Sequence, residues 1–173
     1  MSDLYKRIEL LANLAIIIVA LLLGGVLVRR YLLPASPQIE AVESARIKPG
    51  TKLSLSGVEW GGRRHTLVLV LSTNCHFCTE SAPFYQSLVQ EKAKHGDVGL
   101  LAVLPQGVEE SQKYLGEHGI TTDGVRQAAL DAVNVRGTPT LILVDRNGSV
   151  IESWVGKLPP EKEAEVLDRL QKG

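Results

Sequence analysis

The chain has 173 residues, enough for one ordinary domain and a short extra segment. Its 19 Lys and Arg are balanced by 19 Asp and Glu, so it lacks the excess positive charge that neutralises phosphates, and nucleic acid is not expected as a partner. Hydrophobic residues at 45% against 22% charged exclude a wholly disordered chain, and 5% aromatics argue against a base-stacking or carbohydrate-binding surface.

Residues 1–9 form a polar N-terminal tail, and from Leu10 to Val28 the chain runs uncharged, with Asn13 its one strongly polar side chain. As a helix this stretch would span about 28 Å, close to the roughly 30 Å hydrocarbon core of a bilayer. Lys6, Arg7 and Glu9 precede it; Arg29, Arg30 and the interface-favouring Tyr31 follow. A cleaved signal peptide would have a shorter apolar region ending at small residues, and a buried core helix is not needed, because the later residues suffice for a domain. The pattern predicts one transmembrane helix over 10–28, retained as a signal-anchor, with the lipid bilayer as a partner. Basic residues flank both ends, so charge alone does not favour a translocated C-terminus. Residues 29–49, with Pro34, Pro37 and Pro49, read as a linker to a domain over 50–173.

Within that domain, Lys52–Val58 alternates apolar and polar and predicts a strand, and Gly61-Gly62 a turn. His65–Ser72 (HTLVLVLS) is a continuous apolar run, as in a central strand buried on both faces. Ser72, Thr73 and Asn74 are capping types before a helix that Pro83 should kink. Val98–Leu104 predicts a second buried strand, Val108–His118 a helix closed by Gly119, and Val125–Ala132 another helix. Thr140–Val144 and Val150–Val155 predict a hairpin around Asp145-Arg146-Asn147-Gly148. Pro160 opens a last helix with Ala164, Leu167 and Leu170 towards the core. The order β, β, α, β, α, α, β, β, α predicts an α/β fold, a mixed sheet with helices on both faces.

The only two cysteines are Cys75 and Cys78, in one Cys-x-x-Cys where a buried strand meets a helix. They are too few for a disulfide framework or a four-cysteine zinc site. At a helix N-terminus a thiolate meets unpaired N–H groups, which lowers its pKa. Cys75 is the expected attacking sulfur and Cys78, one turn on, the shielded one. His76 is a candidate tuning residue beside Cys75, whereas Phe77 does not titrate. A static bridge closing so small a loop would constrain the unfolded chain little. A metal site would need further ligands from His65, His95 or His118 or from carboxylates, and none has ligand spacing. No metal and no cofactor are expected. Thr138-Pro139 stands just before a buried strand, where Pro cannot donate to the ladder; a cis bond in a tight turn would explain it, and so would a trans proline starting the strand.

Cys-x-x-Cys after a buried strand, Gly137-Thr138-Pro139-Thr140, the Asp-x-x-Gly hairpin and Val155-Gly156 together resemble the thioredoxin superfamily. The extra N-terminal strands, the insertion between the two motifs and the expected membrane anchor resemble its TlpA/ResA branch of bacterial membrane-tethered thiol-disulfide oxidoreductases. The resemblance covers about Pro49 to Leu170. It implies a thioredoxin-like fold, a redox couple of Cys75 and Cys78, and Pro139 as a cis proline facing the disulfide, with Thr138 beside it. It implies a protein dithiol or disulfide substrate, a membrane electron donor or acceptor, and a domain on the extracytoplasmic, periplasmic side. The chain departs from the pattern at Asn74, where the family usually has Trp, and at His76-Phe77, where x-Pro is common. Glu80 falls two residues after the second Cys rather than three, and Leu69 replaces an acid of cytoplasmic thioredoxins. Two alternatives are a copper metallochaperone using a distal His such as His118, although such proteins space their cysteines by three, and a thiol peroxidase, whose Pro-x-x-x-Thr pattern is absent before Cys75.

Overall fold

A computed structural model describes residues 9, 13–25 and 45–172. The chain divides into two compact units, Met1–Glu40 and Ala41–Gly173.

In the first unit residues 13–25 are helical. Among the described residues no helix is long and apolar enough to cross a membrane. This overturns the transmembrane helix over 10–28. The bilayer contact, the single-pass extracytoplasmic placement, the membrane redox partner and the membrane-tethered branch lose their basis with it. The remainder of that apolar run (10–12 and 26–28), residues 1–8 of the tail and residues 29–44 of the linker lie outside the described residues.

The second unit contains strands β1 (His65–Val70), β2 (Val98–Leu104), β3 (Gly124–Gln127), β4 (Thr140–Asp145) and β5 (Val150–Val155). Its α-helices are α1 (His76–Glu80), α2 (Ala82–Lys94), α3 (Val108–Glu117) and α4 (Pro160–Lys172). The strands form one sheet in the order β3-β2-β1-β4-β5. β2 runs parallel to β1 and to β3, whereas β4 is antiparallel to β1 and to β5, so the sheet is mixed.

Alternate residues of the central strands feed two cores, which is why their sequences show no polar alternation. Leu67, Leu69 and Leu71 pack on one face with Phe84, Tyr85 and Leu88 of α2, Tyr114 and Leu115 of α3, and Val166 and Leu170 of α4. Val68 and Val70 pack on the other with Val103, Ile142, Ile47, Leu53, Val133 and Val135. The buried apolar side chains of the α-helices all belong to the first core. The second face is covered by residues 45–60 and 128–135, whose only helical pieces are 3-10 turns at Trp60–Gly62 and Asp131–Val133.

Two expected elements differ. Lys52–Val58 contributes a single bridge, Lys52 to Ser149, made by the Leu53 N–H to the Gly148 carbonyl and the Val150 N–H to the Thr51 carbonyl, each at 2.8 Å, and Leu53 then buries its side chain in the second core. Residues 125–127 of the expected Val125–Ala132 helix instead join Gly124 in β3, since β2 would otherwise leave its outer edge unpaired; Leu101 lies opposite Gly124 and Leu104 opposite Gln127. The β4–β5 hairpin needs Gly148: its φ is +74°, and a Cβ there would come within 2.7 Å of the Trp60 ring.

Candidate active site

β1 delivers the chain to a short loop in which the Cys75 N–H donates to the Ser72 carbonyl at 3.1 Å. Cys75 then caps α1 with extended backbone angles, and its Sγ accepts the Cys78 N–H at 3.2 Å. A charge on that sulfur would face a backbone donor. Ser81 separates α1 from α2, and the break is the expected effect of Pro83, which has no N–H to continue the ladder. Cys75 and Cys78 are joined by a disulfide, with Cα atoms 5.2 Å apart. Their surroundings differ: Cys75 is half-buried, whereas Cys78 has no exposed surface and belongs to the core of α2 and α4.

The start of β4 forms the opposite wall. Val70 lies opposite Thr140, so the residues after β1 and before β4 run on side by side. The Thr138–Pro139 bond is cis, and the Thr138 carbonyl oxygen lies 3.4 Å from the Cys75 Sγ. Pro139 is buried; its carbonyl accepts the Gly156 N–H at 2.8 Å, and Thr140 Oγ1 donates to the Gly137 carbonyl at 2.8 Å. His76 is the most open of the site residues. Its Nε2 is 3.1 Å from Glu80 Oε1, and Lys157 Nζ is 3.0 Å from Glu80 Oε2. The hydrogen bond from Lys157, ahead of the charge on His76, holds the Glu80 carboxyl below the usual carboxylate range. Glu80 is therefore a rim anion. Leu69, fully buried, leaves the core beside Cys78 without an acid from β1.

The structure gathers Cys75, Cys78, Thr138 and Pro139 at one end of the sheet, with His76 at its rim. Gln106, Glu110 and Lys157 escaped the sequence reading. Gln106 Nε2 donates to Ser72 Oγ at 3.0 Å, its Oε1 accepts the Thr73 N–H at 3.4 Å, and Thr73 Oγ1 donates to Glu110 at 2.9 Å. A signal for Gln106 did exist: it follows a parallel strand at its C-terminal end, where open α/β sheets build their sites.

The copper-binding alternative fails on geometry. Among the described residues no group of three or more His, Cys, Asp and Glu could hold a metal ion. His118 instead packs edge-on against Tyr114, with ring centroids 4.6 Å apart.

A mixed sheet flanked by helices, carrying a disulfide-forming cysteine pair at the end of its central strand, defines a thioredoxin-like enzyme of the thiol-disulfide oxidoreductase type. The Redoxin family model matches residues 35–170, and the chain belongs to that family. No curated protein matches the sequence. Among solved structures, a thiol:disulfide interchange protein of the thioredoxin family from Chlorobium tepidum TLS is 20% identical, covering 73% of this chain and 96% of its own, with a TM-score of 0.54. The thioredoxin domain of a thiol-disulfide oxidoreductase from Bacteroides vulgatus is 17% identical over 71% of this chain and 97% of its own, at a TM-score of 0.54. A thiol-disulfide isomerase from Corynebacterium glutamicum is 17% identical over 73% and 94%, at the same TM-score. At these identities the likeness establishes the fold. Family and cysteine pair together favour thiol-disulfide exchange over both the copper and the peroxidase alternatives.

Proposed function

We propose that the chain exchanges its Cys75–Cys78 couple with a disulfide or dithiol of a protein substrate, with Cys75 attacking and Cys78 resolving. The observation that carries this is the unequal access to the two sulfurs: Cys75 is half-buried and Cys78 wholly buried. In the reducing direction the Cys75 thiolate attacks one substrate sulfur. The substrate S–S bond breaks, and the other substrate sulfur leaves as a thiolate that takes up a proton. Cys78, giving up its proton, then attacks the Cys75 sulfur and expels the second substrate thiol. The substrate disulfide gains two electrons and two protons, and the chain ends as the disulfide. Run backwards, the same steps oxidise a dithiol.

Thr138 and Pro139 form the other side of the groove. The backbone of Thr138 beside Cys75 suits main-chain pairing with an extended peptide, a mode that tolerates varied side chains. Pro139 offers no N–H there. His76 takes the role of an electrostatic tuner of Cys75.

The test is trapping. Cys78→Ser should accumulate a mixed disulfide through Cys75, visible as a reductant-sensitive mass shift, whereas Cys75→Ser should form none and lose exchange. Adducts that form only in Cys75→Ser would reverse the two roles. Insulin-disulfide reduction by wild type, absent in both variants, supplies the activity readout.

A further inference from the structure

Three polar side chains, His76, Glu80 and Lys157, form a chain on the rim of the site. Glu80 divides its carboxylate between Lys157 (Oε2, 3.0 Å) and His76 (Oε1, 3.1 Å), so both oxygens are engaged. His76 and Glu80 belong to the short helix that Cys75 caps, whereas Lys157 comes from the segment after β5. The preceding residue, Gly156, is bonded to Pro139, so this ion chain joins both walls of the groove. Another acid at this end, Glu110, is engaged by Thr73 Oγ1 at 2.9 Å.

We propose that Lys157 and Glu80 set the balance between the reduced and disulfide forms of the Cys75–Cys78 couple, with Lys157 the positioning residue that holds and neutralises the Glu80 carboxylate. This rests on the redox reading of the pair given above. The disulfide carries no charge, but the reduced form places a thiolate at Cys75. Only the reduced form therefore interacts with the ion chain, and an interaction present in one state alone shifts the equilibrium between them. The distance is short enough to matter. Five residues of helix separate Cys75 from Glu80 by about 7.5 Å along the axis, within a screening length of about 8–10 Å. With Lys157 in place, Glu80 is an anion compensated on both oxygens. Without Lys157, its negative charge stands unneutralised and repels the thiolate. Without Glu80, the Lys157 ammonium stands uncompensated and favours the thiolate.

The full-length chain is equilibrated with glutathione redox buffers, and the pH dependence of Cys75 alkylation by iodoacetamide is recorded alongside. Lys157→Met should shift the equilibrium about threefold towards the disulfide, roughly 14 mV more negative for a two-electron couple. Its alkylation midpoint should move to higher pH. Glu80→Gln should move both quantities the opposite way by a similar factor, the double variant should return towards wild type, and Lys157→Arg should keep wild-type values. Shifts of the same sign in Lys157→Met and Glu80→Gln would overturn the inference. So would unchanged equilibria and alkylation profiles beside a lowered melting temperature, which would make the ion chain merely structural. If wild type fails to equilibrate with glutathione at all, the redox reading itself falls and takes the inference with it.

Discussion

The carbonyl oxygen of Thr138 reaches within 3.4 Å of the Cys75 sulfur across 63 residues of sequence. The antiparallel register of β1 and β4 makes the meeting obligatory: with Val70 fixed opposite Thr140, the chain leaving one strand and the chain entering the other share the same end of the sheet. The Cys75 sulfur and the Thr138 backbone are thus fixed relative to each other by ladder hydrogen bonds.

The loop before Cys75 depends on Gln106, which bonds Ser72 and the Thr73 N–H. Gln106→Ala removes both contacts. It should cost about 1 kcal/mol in urea denaturation, the usual net value of such bonds. Insulin reduction should slow several-fold, because Cys75 loses its fixed approach. A wild-type rate would show that the loop holds its shape unaided.

Leu69 has no exposed surface and shares a core with Cys78. Leu69→Ala should lose about 2–5 kcal/mol through the cavity it leaves. Leu69→Asp should lose more, and its deficit should grow with pH. A carboxyl buried among apolar groups is held protonated, so the folded state is penalised as pH rises above about 3.9, the unfolded value. Urea midpoints at pH 5 and pH 8 provide the comparison; equal deficits would mean that water reaches the site.

Glu91 accepts from Lys94 at 2.8 Å and from Gln171 at 3.1 Å, with His95 Nε2 also at 3.1 Å, so it ties α2 to the end of α4. The hydrogen bond from Lys94 leads the causes that hold its carboxyl below the usual range. A group whose folded pKa is depressed contributes stability above its unfolded value, about 4.3, and loses it as pH falls through the folded value. Glu91→Gln should therefore flatten the acid limb of the stability curve below about pH 4.3. An unchanged limb in a thermal-melt series would assign it to other carboxylates.

Asp145 closes the β4–β5 hairpin by accepting the N–H groups of Asn147 and Ser149, each at 2.8 Å. The Ser149 N–H is the main cause of its lowered carboxyl pKa. Asp145→Ala should cost about 1 kcal/mol, a charge-assisted pair of bonds discounted for its solvent exposure. Hydrogen exchange at Asn147 and Ser149 should accelerate in the variant ahead of exchange in β1.

The sheet's inner strands were legible because burial on both faces leaves an unbroken apolar run, as in His65–Val70 and Val98–Leu104. Pro83 and Asp145-Arg146-Asn147-Gly148 were legible because a missing N–H and a left-handed glycine leave local marks. β3 was not: Gly-Val-Arg-Gln has no strand pattern of its own and is extended because β2 offers it an edge. The apolar run from Leu10 misled in another way: composition reports hydrophobicity, and among the described residues no helix is long and apolar enough to cross a membrane. Of the site, the Cys-x-x-Cys and Thr138-Pro139 carried local signatures. Gln106, Glu110 and Lys157 act only through contacts made by the folded chain, between residues 33 to 77 apart.

The burial of Cys78 has a consequence for the chain's synthesis. The core that encloses it includes Leu141, Leu143, Val166 and Leu170, all added well after the sulfur itself. At about 5–20 residues per second, several seconds separate the emergence of Cys75 from that of Thr138. During that interval Cys78 is as open as Cys75, and the inequality on which ordered exchange depends does not yet exist. A ribosome-stalled chain ending before Thr138 should therefore alkylate at both cysteines alike, whereas the released, reduced protein should alkylate first at Cys75. The unequal exposure of the two sulfurs thus arises only when β4 completes the sheet, and until then the nascent pair is equally open to the oxidants of its surroundings.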